Sequence, residues 1–173
     1  MLQYVGPVLY RQESSPASMT IFAPDLPFDI GKAFSLRDGA DATIIATGYM
    51  LTEAIKALDI LERDGLDVGL LSMCTLKPLD DEAIIEAAKK TGAIVTAENG
   101  SVIGGLGEGV AAILAENWPT PMVRVGVDDE FSQSGLIVDG HDELKAHFGL
   151  GAEDIAFSVK RAIEKKVAMS KRA

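Results

Sequence analysis

Residues 93–116 read AIVTAENGSVIGGLGEGVAAILAE: an apolar strand running into Glu98-Asn99, a polar turn, and an apolar helix opened by Gly104-Gly105. A helix start carries unsatisfied N–H groups and the positive end of a dipole. Glycines there let a ligand or another chain segment approach the backbone closely. Such a loop can either perform chemistry or dock onto a segment that does, and the residues around it favour docking.

Outward from this unit the chain alternates strand and helix. Upstream, Thr43–Thr47 (TIIAT) is a continuous β-branched run suited to a strand buried on both faces. The helix after it, Leu51–Asp64, carries an apolar stripe of Leu51, Ala54, Ile55, Leu58 and Leu61, and Gly65 stops it. A strand over Val68–Met73 leads through Thr75-Leu76-Lys77-Pro78 to a helix with Asp80 as N-cap, acidic Asp81 and Glu82 in its first turn, and Gly92 at its end. Ile94–Ala97 is the next strand and Leu106–Glu116 the next helix. After Pro119 and Pro121 come a strand over Met122–Val127, a loop containing FSQSG, and helices over Asp142–Phe148 and Ala152–Val167. The last helix is acidic at Glu153 and Asp154 and basic at Lys160, Arg161, Lys165 and Lys166, which complements its dipole on a solvated face. With right-handed crossovers this order predicts an α/β, three-layer αβα domain of about five mostly parallel strands.

Residues 1–35 differ. Met1–Tyr10 (MLQYVGPVLY) reads as one apolar strand broken at Gly6-Pro7, and Pro16, Pro24 and Pro27 keep the next stretch from regular pairing. A lone strand on an extended linker needs another sheet to pair with. The expected division is therefore a trailing strand plus linker over 1–35 and a domain over 36–173.

Composition narrows the function classes. Of 173 residues, 47% are hydrophobic and 24% charged, a globular balance, and the net charge of -10 opposes binding to nucleic acid or anionic membranes. No apolar run approaches the roughly 20 residues that cross a bilayer. The single cysteine, Cys74, falls in an apolar run and is expected to be buried. A cytoplasmic location fits these features.

Several chemistries can be weighed. Gly107-Glu108-Gly109-Val110-Ala111-Ala112 fits G-x-G-x-x-A, with Asp128 near the spacing of a ribose-binding acid. That fingerprint places its first glycine at the strand-to-helix turn, whereas Glu98 to Ile103 intervene here. Gly107 and Gly109 are instead expected inside the helix, easing close packing, and a nucleotide-binding module remains the alternative. Glu98, at a strand end, could do acid–base work, but His141 and His147 lie in a late helical segment. A surface or interface hydrogen-bonding role is the plainer reading, with Asn99, Ser101 and Thr96 in a shared polar network. Asp80-Asp81 and Asp128-Asp129 are adjacent pairs without metal-ligand spacing, and no G-x-S-x-G elbow occurs. Arg11, beyond the first strand, suits either a phosphate contact or a linker salt bridge.

Taken together, ATIIATGYMLTEAIKAL, LLSMCTLKPLDDEAI, IVTAENGSVIGGLGEGVAAIL and VRVGVDDEFSQSG resemble, in the same order, the C-terminal domain of transketolases. The pattern is most similar to the separate C-terminal subunit of bacterial split transketolases. Deoxyxylulose-phosphate synthases and 2-oxo-acid dehydrogenase beta subunits share the domain more distantly. GPVLYR (Gly6–Arg11) resembles the last strand of the preceding pyrimidine-binding domain, and Arg11 the family's substrate-phosphate arginine. The second arginine of that pattern falls at Ser14, and Gly100 stands where split transketolases commonly carry histidine, which gives the loop backbone freedom.

The resemblance implies a structural and dimerisation domain within an enzyme that moves two-carbon ketol units between sugar phosphates through thiamine diphosphate and Mg2+. The regions that supply the metal–diphosphate motif and the activating glutamate have no counterpart in these residues. The chain alone is therefore expected to bind neither cofactor tightly, to hold no catalytic residue and to be inactive. Its expected partners are the diphosphate- and pyrimidine-binding domains, met through Glu98, Asn99, Ser101, Gly104 and Gly105, and a second copy of itself in a homo-oligomer. Residues 1–34, lacking their sheet, are expected to be mobile or to pair with a neighbouring molecule.

Overall fold

Ala42–Ala46 (ATIIA) lies at the centre of the sheet with every residue buried, as its β-branched run requires. The structure, a computed structural model, describes residues 5–10, 21–23, 25–26, 28–131 and 141–171, without the side chains of 141–143. Among the described residues the elements run β1 (Phe34–Arg37), β2 (Ala42–Ala46), α1 (Met50–Arg63), β3 (Val68–Ser72), α2 (Asp81–Thr91), β4 (Ile94–Ser101), α3 (Leu106–Asn117), β5 (Met122–Val127), α4 (His141–His147) and α5 (Ala152–Ser170).

These strands form one five-stranded sheet in the order β1-β3-β2-β4-β5. β3, β2, β4 and β5 are mutually parallel, with Ile44 opposite both Leu70 and Val95, and β1 is antiparallel to β3. Alternation along the doubly buried strands makes two cores. Ile44, Leu70 and Val95 face α1 and α5, while Ile45 and Ile94 face α2 and α3. This is the three-layer α/β arrangement read from the sequence.

The helix ends follow their signals. Asp80 accepts from Ala83 N at 3.2 Å and from Ala33 N at 2.9 Å, so one carboxylate caps α2 and anchors the segment entering β1. Gly92 ends α2 with a left-handed φ of 65°. The basic end of α5 does more than complement its dipole. Lys166 Nζ donates to Thr91 O at 2.7 Å and Lys165 Nζ to Met122 O at 3.0 Å, tying α5 to the end of α2 and the start of β5.

Three expectations need correction. β1 was not among the strands read from the sequence; it is a four-residue edge strand entered from the Pro-rich stretch. β4 does not end at Ala97. It bulges and continues through Glu98, Asn99 and Gly100 to Ser101, which pairs with Val127, so ladder formation overrides the polar composition. Cys74 is exposed, because Met73 takes the inward position past the end of β3 and the next residue turns outward. Residues 5–10 form no ladder with the described sheet and expose Val5 and Leu9.

Candidate functional site

The place to look is the carboxyl end of the parallel strands, where β4 passes into α3. α3 begins after Gly105, which has no side chain to cap it, so the first amides of the helix need an acceptor from elsewhere. Glu98 supplies it. Only 4% exposed, it accepts Leu106 N on Oε2 and Gly107 N on Oε1, each at 2.8 Å. A carboxylate held by two amides at the positive end of a helix dipole is stabilised both as a charge and as an acceptor. The β4 bulge aims the side chain there, and Gly105 makes room: a Cβ at that position would collide with the Glu98 carboxylate and with Ser101 O.

The turn between Ser101 and α3 is fastened at each step. Val102 N donates to Val127 O at 2.9 Å, and Arg124 Nη1 donates to Val102 O at 3.0 Å. Ile103 N donates to Ser101 Oγ at 3.1 Å, and Gly104 N to Glu108 Oε2 at 2.9 Å. Gly104 has φ 73°, so the position that requires glycine freedom is this one. Gly100 lies within β4 and is not in the left-handed region, so the backbone freedom expected there is absent.

The predicted site residues are therefore brought together, but unequally. Glu98 is turned inward, Asn99 is half-buried, and Ser101 and Gly104 are exposed, with Ile103 standing out at 58%. Thr96 does not join them: its hydroxyl is buried beneath α3 with no hydrogen-bond partner among the described residues. The glycines of the G-x-G-x-x-A match lie inside α3. A Cβ on Gly107 would press on Arg124 and Thr96, and one on Gly109 on Leu79, so both serve close helix packing. Arg11 lies outside the described residues.

Sequence reasoning missed Arg124 and Glu108 as the residues that hold the turn. It also missed a second buried carboxylate. Glu53 in α1 is paired with Lys56 at 2.9 Å and with Lys145 of α4 at 3.0 Å. Burial pushes its pKa up, but the two lysines outweigh this and hold it below the usual carboxylate value. Lys145 also lies over the Tyr49 ring, 5.5 Å from its centre. This cluster fixes α4 to α1. Lys145 is too distant in sequence for any local signal to have revealed it.

Among the described residues no three His, Cys, Asp or Glu side chains converge as metal ligands, and no helix is long and apolar enough to cross a membrane. What the β4–α3 unit offers is a rigid turn with an exposed isoleucine and a carboxylate engaged internally.

The chain is similar to known proteins. The family model for the transketolase C-terminal domain matches residues 31–155. The chain is 45% identical over 166 residues to the 6-deoxy-6-sulfo-D-fructose transketolase subunit SqwH of Clostridium sp. (strain MSTE9), covering 96% of this chain and 50% of that subunit. It is 39% identical over 161 residues to a 1-deoxy-D-xylulose-5-phosphate synthase of Syntrophotalea carbinolica, covering 91% of this chain and 25% of the synthase. Among solved structures, one described as a split gene transketolase, inactive beta4 tetramer, superposes with a TM-score of 0.81 at 41% identity, over 86% of this chain and 47% of that one. The chain thus spans half or less of the length of these relatives.

Proposed function

Because the chain belongs to the transketolase C-terminal domain family, we propose that it is the bracing part of a thiamine-diphosphate-dependent transketolase. The complete assembly moves two-carbon ketol units between sugar phosphates. The reaction takes place on companion domains that bind the diphosphate and the pyrimidine of the cofactor, and this chain docks on them and supports their dimerisation. Residues 1–35 are the last strand of the pyrimidine-binding domain and its linker, and residues 36–173 are the brace. The proposed setting is the cytoplasm.

The observation that carries this reading is the state of Glu98. It is the buried acid at a strand end, where α/β folds place reacting groups, and both its oxygens are bonded to α3 amides. The exposed surface beside it is Ser101, Ile103 and Gly104, held in one shape by Arg124, Glu108 and β5. A rigid turn with an apolar tip is suited to docking, because little conformational entropy is lost on contact.

Thiamine diphosphate and its Mg2+ belong, on this reading, to the companion domains; the buried Glu98 carboxylate is engaged with the amides of α3. A role for Arg11 in holding a substrate phosphate rests on the resemblance of Gly6–Arg11 alone. The relative described as a tetramer supports a homo-oligomeric assembly for this chain.

The test is a binding titration with the companion diphosphate- and pyrimidine-binding chain. Unaltered protein should bind it, and Ile103→Asp, which places a charge on the exposed tip without touching the cap, should weaken binding about tenfold or more while leaving the urea midpoint in place. Equal binding by the variant would refute docking through this turn.

A further inference from the structure

The sheet ends at β5, and its outer edge is built in an unusual way. Ile94 N donates to Pro121 O and Val102 N to Val127 O, so the odd-numbered residues of β5 turn their backbone groups toward β4. By alternation, the N–H and C=O groups of Met122, Arg124 and Gly126 line the free edge, and no described strand pairs with it. Lys165 covers Met122 O. An open groove follows the edge, walled by Ala111 on the α3 side and by Arg161 and Lys165 on the α5 side.

Proteins usually blunt such an edge with a proline, a bulge or an inward charge. MVRVGV has none of these between Met122 and Val127. Its charges are instead arranged about Gly126: Arg124 stands two residues before and Asp128 two residues after. Asp128 is exposed and enters no ion pair among the described residues. Arg124 uses Nη1 on Val102 O and lies 3.9 Å from Glu108, which leaves further guanidinium N–H groups for another acceptor.

We infer that this edge pairs with itself: a second copy of the chain adds its own β5 antiparallel, about a two-fold axis at Gly126. In that register Arg124 faces the other copy's Asp128, and Gly126 faces Gly126. The Gly126 pair is of the doubly hydrogen-bonded kind, since its backbone groups point outward; Asp128 lies just past the strand, where its carbonyl accepts from Glu130 N, so the Arg124–Asp128 pair rests on the side-chain charges. Paired residues project to the same face, so the guanidinium meets the carboxylate twice by symmetry. A slip of one residue would turn the charged pairs to opposite faces, so the register is specified. The inference does not depend on the docking proposal, whose contact is the exposed tip at Ser101, Ile103 and Gly104; Arg124 braces that tip and also lines this edge.

Sedimentation velocity and amide exchange across a dilution series test it together. The chain should form a dimer with concentration, and the amide of Gly126 should exchange about tenfold or more slowly in the dimer. Asp128→Arg removes no side-chain hydrogen bond or ion pair among the described residues and should weaken association about tenfold or more, because it sets like charges opposite each other. A chain that stays monomeric at high concentration would overturn the inference. So would a dimer whose Gly126 amide exchanges at the monomer rate, or one indifferent to Asp128→Arg.

Discussion

Glu98 and Glu53 are both almost fully buried carboxylates on this fold, yet they are satisfied in opposite ways. Glu98 is neutralised by geometry: two backbone amides of a helix that starts eight residues later along the chain. Glu53 is neutralised by charge, through Lys56 one turn away and Lys145 ninety-two residues away. The first arrangement makes a local unit, strand, turn and helix, that is rigid in itself. The second joins two helices and depends on the ionisation of all its members. One carboxylate therefore holds the turn proposed above as a docking surface, and the other supports the fold around α4.

Substitutions at the turn should have the largest effect. Glu98→Ala strands two buried helix amides, each worth about 1–3 kcal/mol when unsatisfied, so urea denaturation should show a loss of about 3 kcal/mol. Gly105→Ala attacks the same cap from the other side and should approach that loss, since a Cβ there meets both the carboxylate and Ser101 O. If either variant were as stable as the parent, the cap would not be the fastening of this turn.

Glu53→Ala should cost less, about 1–2 kcal/mol, because Lys56 is half exposed and turns toward water once released, while Lys145 keeps its place over the Tyr49 ring. A double-mutant cycle with Lys145→Met isolates the long-range part. A coupling near zero would show that α4 is held by packing alone.

pH tests the charge-paired arrangement. The folded-state pKa of Glu53 lies below its ordinary value of 4.5. Its contribution is therefore fully present above the unfolded-state value and is lost as pH falls through the lowered folded-state value. The stability difference between parent and Glu53→Gln should be constant at neutral pH and shrink only under acid conditions below the ordinary carboxylate range. A difference that faded near pH 6 would contradict the pairing. The smallest effect is that of salt: 1 M NaCl should reduce the Glu53–Lys145 coupling while leaving the Glu98→Ala loss nearly unchanged.

The same contrast explains what could be read in advance. β2 was legible because ATIIA allows no exposed face, and α2 because Asp80 and Gly92 bracket it with unambiguous caps. β1 was not, since FSLR is short, lies at an edge and draws its pairing from β3 rather than from any pattern of its own. The extension of β4 through Glu98–Ser101 was hidden by polar residues whose ladder partner, Val127, is distant in sequence. The inward turn of Glu98 did leave a trace. A helix opening on glycines with no Ser, Thr or Asp at its N-cap needs a donated acceptor, and the nearest upstream carboxylate is Glu98. Cys74 was misjudged because an apolar run does not reveal where the strand ends and its last residue turns outward.

The most direct test is an assay of two-carbon ketol transfer between sugar phosphates, with thiamine diphosphate and Mg2+ supplied, on the chain alone and after mixing with its companion diphosphate- and pyrimidine-binding chain. No turnover alone and turnover on mixing is the result expected of a brace. Ketol transfer by the isolated chain would contradict it.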